Sequence, residues 1–92
     1  MITSFKHKGL YRFYALGDQS GIPAAFAARI TRMLDRLNSC VQPDDMDLPG
    51  YKFHQLKGNR QGVYSVQVSG NWRLTFSFSN GDAHNVRLED YH

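Results

Sequence analysis

The most regular pattern of apolar and polar positions lies in the last third of the chain. Apolar and polar residues alternate through two consecutive runs, residues 64–69 and 72–79, which a turn at Gly70-Asn71 separates. Alternation with a period of two predicts strands that bury one face, so these runs predict an antiparallel hairpin. A third run, residues 84–88, follows a second turn and extends the hairpin to a three-stranded meander.

The buried face fixes the register of this meander, because a shift of one residue exchanges the two faces of a strand. A two-residue loop at Gly70-Asn71 would place Gln67 opposite Leu74 and mix the faces. A three-residue loop instead gives the apolar pairs Val68–Trp72, Val66–Leu74 and Tyr64–Phe76. The same argument predicts a three-residue loop at residues 80–82, with Val86 near Phe76 and Leu88 near Leu74.

The other face of the meander collects polar side chains. They are Arg73, Thr75, Ser77, Asn85, Arg87, Glu89 and Tyr91. Residues 51–57 predict a further strand that points Lys52 and His54 to the same polar face. Strict alternation would turn Asp90 toward the core near Trp72. We therefore expect residues 90–92 to leave the strand, so that Asp90 and His92 face the polar side.

Two helices are predicted before the sheet. The first covers about residues 7–16 and ends at Gly17, and the second covers residues 24–38 after Pro23. The second helix has an apolar stripe and, on another side, Arg29, Arg32 and Arg36; this basic edge fits either solvent or phosphates. The order of elements predicts an α+β fold, in which two N-terminal helices pack on one face of a small twisted antiparallel sheet and leave the polar face open.

Length and composition narrow the class of protein. The 92 residues predict a single domain with one modest core. No apolar run approaches the ~20 residues that span a bilayer, and the N-terminus has no apolar signal region, so no membrane partner is expected. A single cysteine, Cys40, suits the reducing cytoplasm. The net charge of +3 and the pI near 9.2 permit a nucleic-acid partner without requiring one.

The sequence predicts neither a metal site nor a cofactor. None of the four histidines lies at a usual ligand spacing from another, and the single cysteine is isolated. The aspartates of residues 44–47 lack the ligand spacing and turn glycine of a calcium loop. Phosphate-binding glycine loops and nucleophile elbows are absent as motifs.

Acid/base catalysis without a metal is the remaining candidate chemistry, and the polar face carries the side chains that it needs. His54 and His92 titrate near neutral pH, and Asp90 and Tyr91 adjoin His92. RNA cleavage by attack of the 2′-hydroxyl needs a base, a cation beside the crowded phosphorus and an acid for the departing 5′-oxygen. The cations that we expect to bind RNA phosphates are Lys52, Lys57, Arg60, Arg73 and Arg87. The plainer alternative is a basic face that docks RNA or protein without catalysis.

The residues also resemble a known family. Five segments carry the resemblance: ITSFKHKGL at 2–10, HQLKGNR at 54–60, NWRLTF at 71–76, GDA at 81–83 and EDYH at 89–92. In this order and spacing they are similar to HigB-type toxins of the RelE superfamily, which belong to type II toxin–antitoxin modules. The resemblance covers essentially the whole chain, residues 1–92, as one RelE-like toxin domain.

The resemblance implies a compact RelE-like fold and metal-independent cleavage of messenger RNA in the ribosomal A site. The implied catalytic group is His54, Asp90, Tyr91 and His92, with Lys57 and Arg73 as contacts to the phosphate. The implied partners are messenger RNA on the ribosome and a HigA-type helix-turn-helix antitoxin, through which alone the toxin would meet operator DNA.

Two other functions stay open at this point. A ParE-like toxin of the same superfamily binds DNA gyrase and cuts nothing; it would not need the acid/base residues His54 and His92. A non-catalytic RNA-binding domain would need only the basic face. Which of His54 and His92 is the base also stays open, as does any codon preference.

Overall fold

Two helices in the N-terminal half precede a four-stranded antiparallel sheet. The computed structural model describes residues 1–90 of the chain. The elements are α1 (Lys8–Leu16), α2 (Ala27–Ser39), β1 (His54–Gln55), β2 (Val63–Ser69), β3 (Trp72–Ser79) and β4 (Asp82–Asp90). The strands lie in the order β1-β2-β3-β4. This α+β architecture confirms the predicted fold class. None of the helices found in residues 1–90 could span a bilayer.

The helix ends follow from local chemistry. The Nδ1 atom of His7 accepts the backbone N–H of Leu10 at 2.9 Å and caps α1. Gly17 ends α1 in the left-handed region, with φ of 74°. The position of the second predicted helix is confirmed, but its first turn, Ala24–Phe26, is a 3₁₀ turn, and the α-helix begins at Ala27.

The core lies between the helices and one face of the sheet. The helices contribute Leu10, Ile30, Met33, Leu34 and Leu37, and the strands contribute Val66, Leu74, Phe76, Val86 and Leu88. All ten side chains are buried, and they belong to one continuous cluster. The apolar face predicted from alternation is therefore the face that the helices cover.

Both hairpin loops are shorter than predicted. Ser69 pairs with Trp72 and Ser79 pairs with Asp82, so each loop has two residues. Asn80 and Gly81 both have positive φ, 53° and 79°, as a tight hairpin turn requires.

Two β-bulges compensate for the short loops. The register shifts by one residue between Gln67 and Ser69 and again opposite residues 75–77, where Asn85 has a φ of 54°. The predicted Val68–Trp72 pair is therefore wrong. The pairs Val66–Leu74, Tyr64–Phe76 and Leu74–Leu88 are confirmed, because each bulge takes up one residue and restores the faces.

Two further predictions about strands are wrong. The strand predicted for residues 51–57 has only two residues, His54–Gln55. Lys52 leaves the extended conformation just before it, with a φ of 48°, and the 3₁₀ turn Gly58–Arg60 follows it. Asp90 does not leave the sheet. It is the last residue of β4, and it pairs with Trp72 because β3 begins at that residue. Tyr91 and His92 lie outside the described residues.

The N-terminal segment, residues 1–6, covers the outer edge of β4. Bridges join Ile2 to Ala83 and Phe5 to Val86 in a parallel arrangement. The N–H groups of Thr3 and Lys6 donate to Ala83 and Val86 at 2.9 Å each. This pairing shields the sheet edge and brings Lys6 beside the polar face.

The close approach of Gly9 to Gly21 gives a test of the packing. A Cβ atom on Gly9 would lie 2.8 Å from the Cα atom of Gly21, closer than real contacts allow. We expect Gly9→Ala to lower the free energy of unfolding by about 1–3 kcal/mol in urea denaturation, as overpacking does. Helix propensity alone predicts the opposite, a gain of up to ~1 kcal/mol.

The control for this variant is Ala15→Gly, at an exposed position of the same helix, which measures propensity without a clash. A Gly9→Ala protein that is as stable as the wild type, or more stable, would contradict the packing.

Candidate active site

Cross-strand pairing assembles the polar face, since directly paired residues share a face of the sheet. One row crosses all four strands: His54, Ser65, Thr75 and Arg87. The next row is Gln67, Arg73 and Glu89. With neighbouring strands ~4.8 Å apart, the first row spans roughly 14 Å. The register thus places His54 on the face that holds Arg73 and Arg87, as the sequence predicts.

A charged pair lies in the middle of this face. Arg60 binds Glu89 through two parallel hydrogen bonds, Nη1 to Oε1 at 2.8 Å and Nη2 to Oε2 at 2.6 Å. The buried hydroxyl of Thr75 also donates to Oε2. The hydrogen bonds from Arg60 lower the pKa of the Glu89 carboxyl against the opposing effect of burial, and Thr75 and the charge of Arg87 assist. Glu89 is therefore an anion within a basic surface.

The sequence pattern puts Glu89 and Thr75 on the polar face but indicates no role for either. The signal was present in the alternation, which puts Glu89 on the same side as the arginines. Arg60 was predicted to bind RNA; in the structure its guanidinium holds Glu89, and a phosphate contact stays a prediction.

Next to this pair lies a polar cleft of about 190 Å³. Its cationic lining residues are Lys6, Arg60 and Arg87, and Thr75 and Ser77 lie among its polar ones. Lys6 enters the cleft because the N-terminal segment pairs with β4, which the sequence pattern did not reveal. Three cations around one cleft make a surface suited to the phosphates of a nucleic acid.

His54 is exposed, and its ring orientation follows from one contact. Its Nδ1 atom lies 3.2 Å from the backbone carbonyl oxygen of Lys52. Because a carbonyl only accepts, Nδ1 must donate, and the neutral imidazole then carries its lone pair on Nε2. Nε2 is thus the atom that can take up a proton.

The loop before His54 is held by Arg29 of α2. The Nη2 atom of Arg29 donates to the carbonyls of Gly50 and Gln67, each at 3.0 Å. Its guanidinium lies 5.3 Å from the ring centroid of Tyr51, and the Tyr51 carbonyl accepts the N–H of Gln67 at 2.7 Å. These contacts fix the segment that holds the strained Lys52 and its carbonyl. Arg29 therefore ties the loop to the sheet.

The other predicted site residues occupy different surroundings. Lys52 and Lys57 are exposed and flank β1, whereas Arg73 is partly buried. Asp90 is exposed, and alternation along β4 puts it on the side opposite Glu89. The structure thus brings His54, Arg60, Arg73 and Arg87 to one face and places Asp90 at the end of β4; Tyr91 and His92 lie beyond the described residues.

Two of the remaining histidines have structural partners. His7 caps α1, and His84 lies between the hydroxyls of Thr3 and Ser79, at 2.5 and 2.8 Å. Among residues 1–90, no three His, Cys, Asp or Glu side chains come together as a metal-binding group.

Comparison with known proteins finds a matching family and relatives that align over nearly the whole chain. Residues 3–92 match a family described as the RelE-like toxin of the type II toxin–antitoxin system HigB. The chain is 45% identical over 92 residues, the full length of both proteins, to the Endoribonuclease HigB of Proteus vulgaris. It is also 31% identical over 93 residues to Toxin HigB-1 of Vibrio cholerae serotype O1, covering 99% of this chain and 98% of that protein.

The Arg60–Glu89 pair predicts how stability depends on pH. In the folded state the pKa of Glu89 lies below its ordinary value of 4.5. The ionised Glu89 carboxylate therefore stabilises the folded state fully above about pH 4.5, and this stabilisation is lost as the pH falls through the folded-state pKa. We expect Glu89→Gln to be less stable than the wild type at pH 7 and to lose less stability between pH 5 and pH 3. Urea denaturation across this range measures both.

Asp44→Asn, at an exposed carboxylate, subtracts the effect of removing one negative charge. If Glu89→Gln and Asp44→Asn showed the same pH dependence, the Arg60–Glu89 pair would not stabilise the folded state.

The contacts of Arg29 predict a large cost for its removal. Arg29→Ala deletes two hydrogen bonds from a charged group, and we expect a loss of about 2–4 kcal/mol in the free energy of unfolding. Arg32→Ala, at an exposed position of the same helix, is the matched control and should change stability little.

Imidazole ¹⁵N NMR shifts supply a second measurement for Arg29→Ala. The His54 signals should move away from the Nδ1–H tautomer when the loop is released. Unchanged His54 signals would show that Arg29 does not position the loop.

Proposed function

Because the chain belongs to the HigB-like family of RelE-like toxins, we propose that it is a ribosome-dependent endoribonuclease toxin. It cleaves messenger RNA in the ribosomal A site and so inhibits translation. The observation that carries this proposal is that the register places His54 on the same basic face as Arg73 and Arg87. The relative with 45% identity over its full length bears the name endoribonuclease, which supports the same activity here.

The proposed reaction begins at the 2′-hydroxyl of the message. Nε2 of His54 takes the proton, and the 2′-oxygen attacks the adjacent phosphorus. Arg73 and Lys57 stabilise the negative charge that builds up on the phosphorane oxygens. His92 protonates the departing 5′-oxygen, and its neighbours in the sequence, Asp90 and Tyr91, belong to the same proposed catalytic group. The products are a 2′,3′-cyclic phosphate and a 5′-hydroxyl, and no step requires a metal ion.

The remaining cations bind the strand that carries the scissile bond. Arg87 and Lys6 line the polar cleft, and Lys52 lies next to His54. Glu89 orients Arg60 by the paired hydrogen bonds between them, so that Arg60 contributes its charge at the edge of the cleft. The ribosome positions the message and thereby supplies part of the rate.

The proposal extends to location and partners. The chain acts as one RelE-like domain, residues 1–92, in the cytoplasm, where it contacts ribosomal RNA as well as the message. Membership of a toxin–antitoxin family implies an antitoxin partner. We propose that this partner is a HigA-type helix-turn-helix protein and that operator DNA is reached only through it.

Cleavage of messenger RNA on purified ribosomes tests the proposal. We expect Arg73→Ala to lower the rate by ~10²–10³-fold, as loss of a preorganised charge at the phosphorane does. Arg32→Ala removes the same charge from an exposed position outside the polar face and should leave the rate within a factor of three. A loss below tenfold for Arg73→Ala would make it a binding residue only.

His92→Gln gives an independent test of the acid. It should abolish most cleavage while the melting temperature stays near that of the wild type. Full cleavage by a stable His92→Gln protein would remove His92 from the mechanism.

A further inference from the structure

Helix α1 exposes large and mainly apolar side chains in addition to those that it buries. Leu10 is fully buried in the core, and Phe13 packs against that core. Yet Tyr11, Tyr14 and Leu16 on the same helix are 51%, 36% and 73% exposed. A surface helix ordinarily presents polar residues to solvent, so three large and mainly apolar side chains on the exposed side of α1 indicate a surface for a partner. Within residues 1–90, no element of the fold covers these side chains.

The exposed side of α1 forms one wall of a groove. The groove has a volume of about 690 Å³ and runs between α1 and the N-terminal segment. Phe5 lies between two tyrosines, with ring centroids 5.9 Å from Tyr11 and 5.5 Å from Tyr14. An apolar groove with exposed aromatic rings is typical of a protein-docking surface, where tyrosine often carries much of the binding energy.

The rim of the groove is basic. Lys6, His7 and Lys8 line it, and Arg12 is exposed on the next turn of α1. Among the described residues that line the groove, none is Asp or Glu. The complementary surface therefore has apolar side chains at its centre and carboxylates at its edge.

We infer that this groove is the docking site of the antitoxin, which inserts apolar side chains against Phe5, Tyr11 and Tyr14 and sets carboxylates beside Lys8 and Arg12. The inference rests on the antitoxin partner within the proposed function and not on the nuclease reaction. An RNA strand fits the groove less well, because its lining is mainly apolar, whereas the polar cleft collects the cations Arg60 and Arg87.

The position of the groove separates it from His54. The N-terminal segment pairs with β4, while His54 lies on β1 at the other edge of the sheet. About four strand spacings of ~4.8 Å, or roughly 19 Å, lie between them. Lys6 lines both the groove and the polar cleft, whereas Lys8, Tyr11 and Tyr14 line the groove and not the cleft. Variants at these three positions therefore change antitoxin binding without touching His54, Arg73 or the cleft.

Isothermal titration calorimetry with the antitoxin encoded beside the toxin gene tests the inference. We expect the double variant Tyr11→Ser, Tyr14→Ser to bind the antitoxin at least 100-fold more weakly, since two central aromatic side chains are removed. Val41→Ser is the matched control, because Val41 is 73% exposed and does not line the groove. The affinity of this variant for the antitoxin should stay within threefold of that of the wild type.

A second pair of variants tests the charged rim without removing apolar surface. Lys8→Glu reverses the charge at the first residue of α1, where a carboxylate suits the helix dipole and the fold is preserved. We expect a loss of affinity of about tenfold or more at low salt that shrinks as salt is added. Arg32→Glu, on the exposed side of α2, is the charge-reversal control and should leave the affinity unchanged.

The outcomes separate the two proposals. The inference would be overturned if the tyrosine variant bound the antitoxin with an affinity within threefold of the wild type. It would also be overturned if this variant lost ribosomal cleavage but still bound the antitoxin, because RNA would then use the groove. If the tyrosine variant fails to fold by circular dichroism, the comparison of Lys8→Glu with Arg32→Glu decides. A wild-type protein without cleavage activity would contradict the nuclease reaction, but the titrations would still decide the use of the groove.

Discussion

Two β-bulges hold the sheet in the one register that keeps apolar and polar residues on separate faces. Each hairpin turns through only two residues, which by itself would rotate every following side chain to the wrong side. The extra residue in β2 and the one at Asn85 in β4 reverse that rotation. Without them, Arg73 or Arg87 would enter the helix-covered core unpaired, at a cost of several kcal/mol, and Phe76 or Leu88 would lose its burial.

The chemistry of the polar face follows from this register. It aligns His54 with Arg87 across the sheet and sets Arg73 one row further along. Glu89, held by Arg60 and Thr75, fixes a negative charge among the cations and orients Arg60. Arg29 reaches from α2 to the carbonyls of Gly50 and Gln67 and holds the loop on which the ring orientation of His54 depends. The helices thus act on the polar face from the opposite side of the sheet.

Alternation in the sequence predicts the faces of the strands well, because burial of one face is a strong constraint on every second residue. Arg73, Thr75, Arg87 and Glu89 lie where that pattern puts them. Loop lengths are predicted poorly, since a short turn plus a bulge gives the same faces as a longer turn. The late start of β1 depends on the left-handed conformation of Lys52, a residue type that gives no warning of it. Pairing of Thr3 and Lys6 with β4 joins residues about 80 positions apart, which no local pattern reports.

If the polar face cuts RNA by attack of the 2′-hydroxyl, the two ends of the cleaved message carry the signature of that reaction. Messenger RNA cleaved by the wild-type protein on purified ribosomes can be mapped for its terminal groups. We expect a 2′,3′-cyclic phosphate, or the 3′-phosphate from its opening, on the upstream fragment and a 5′-hydroxyl on the downstream fragment. A 3′-hydroxyl with a 5′-phosphate would contradict this mechanism, because that pair of ends requires attack by water and not by the message itself.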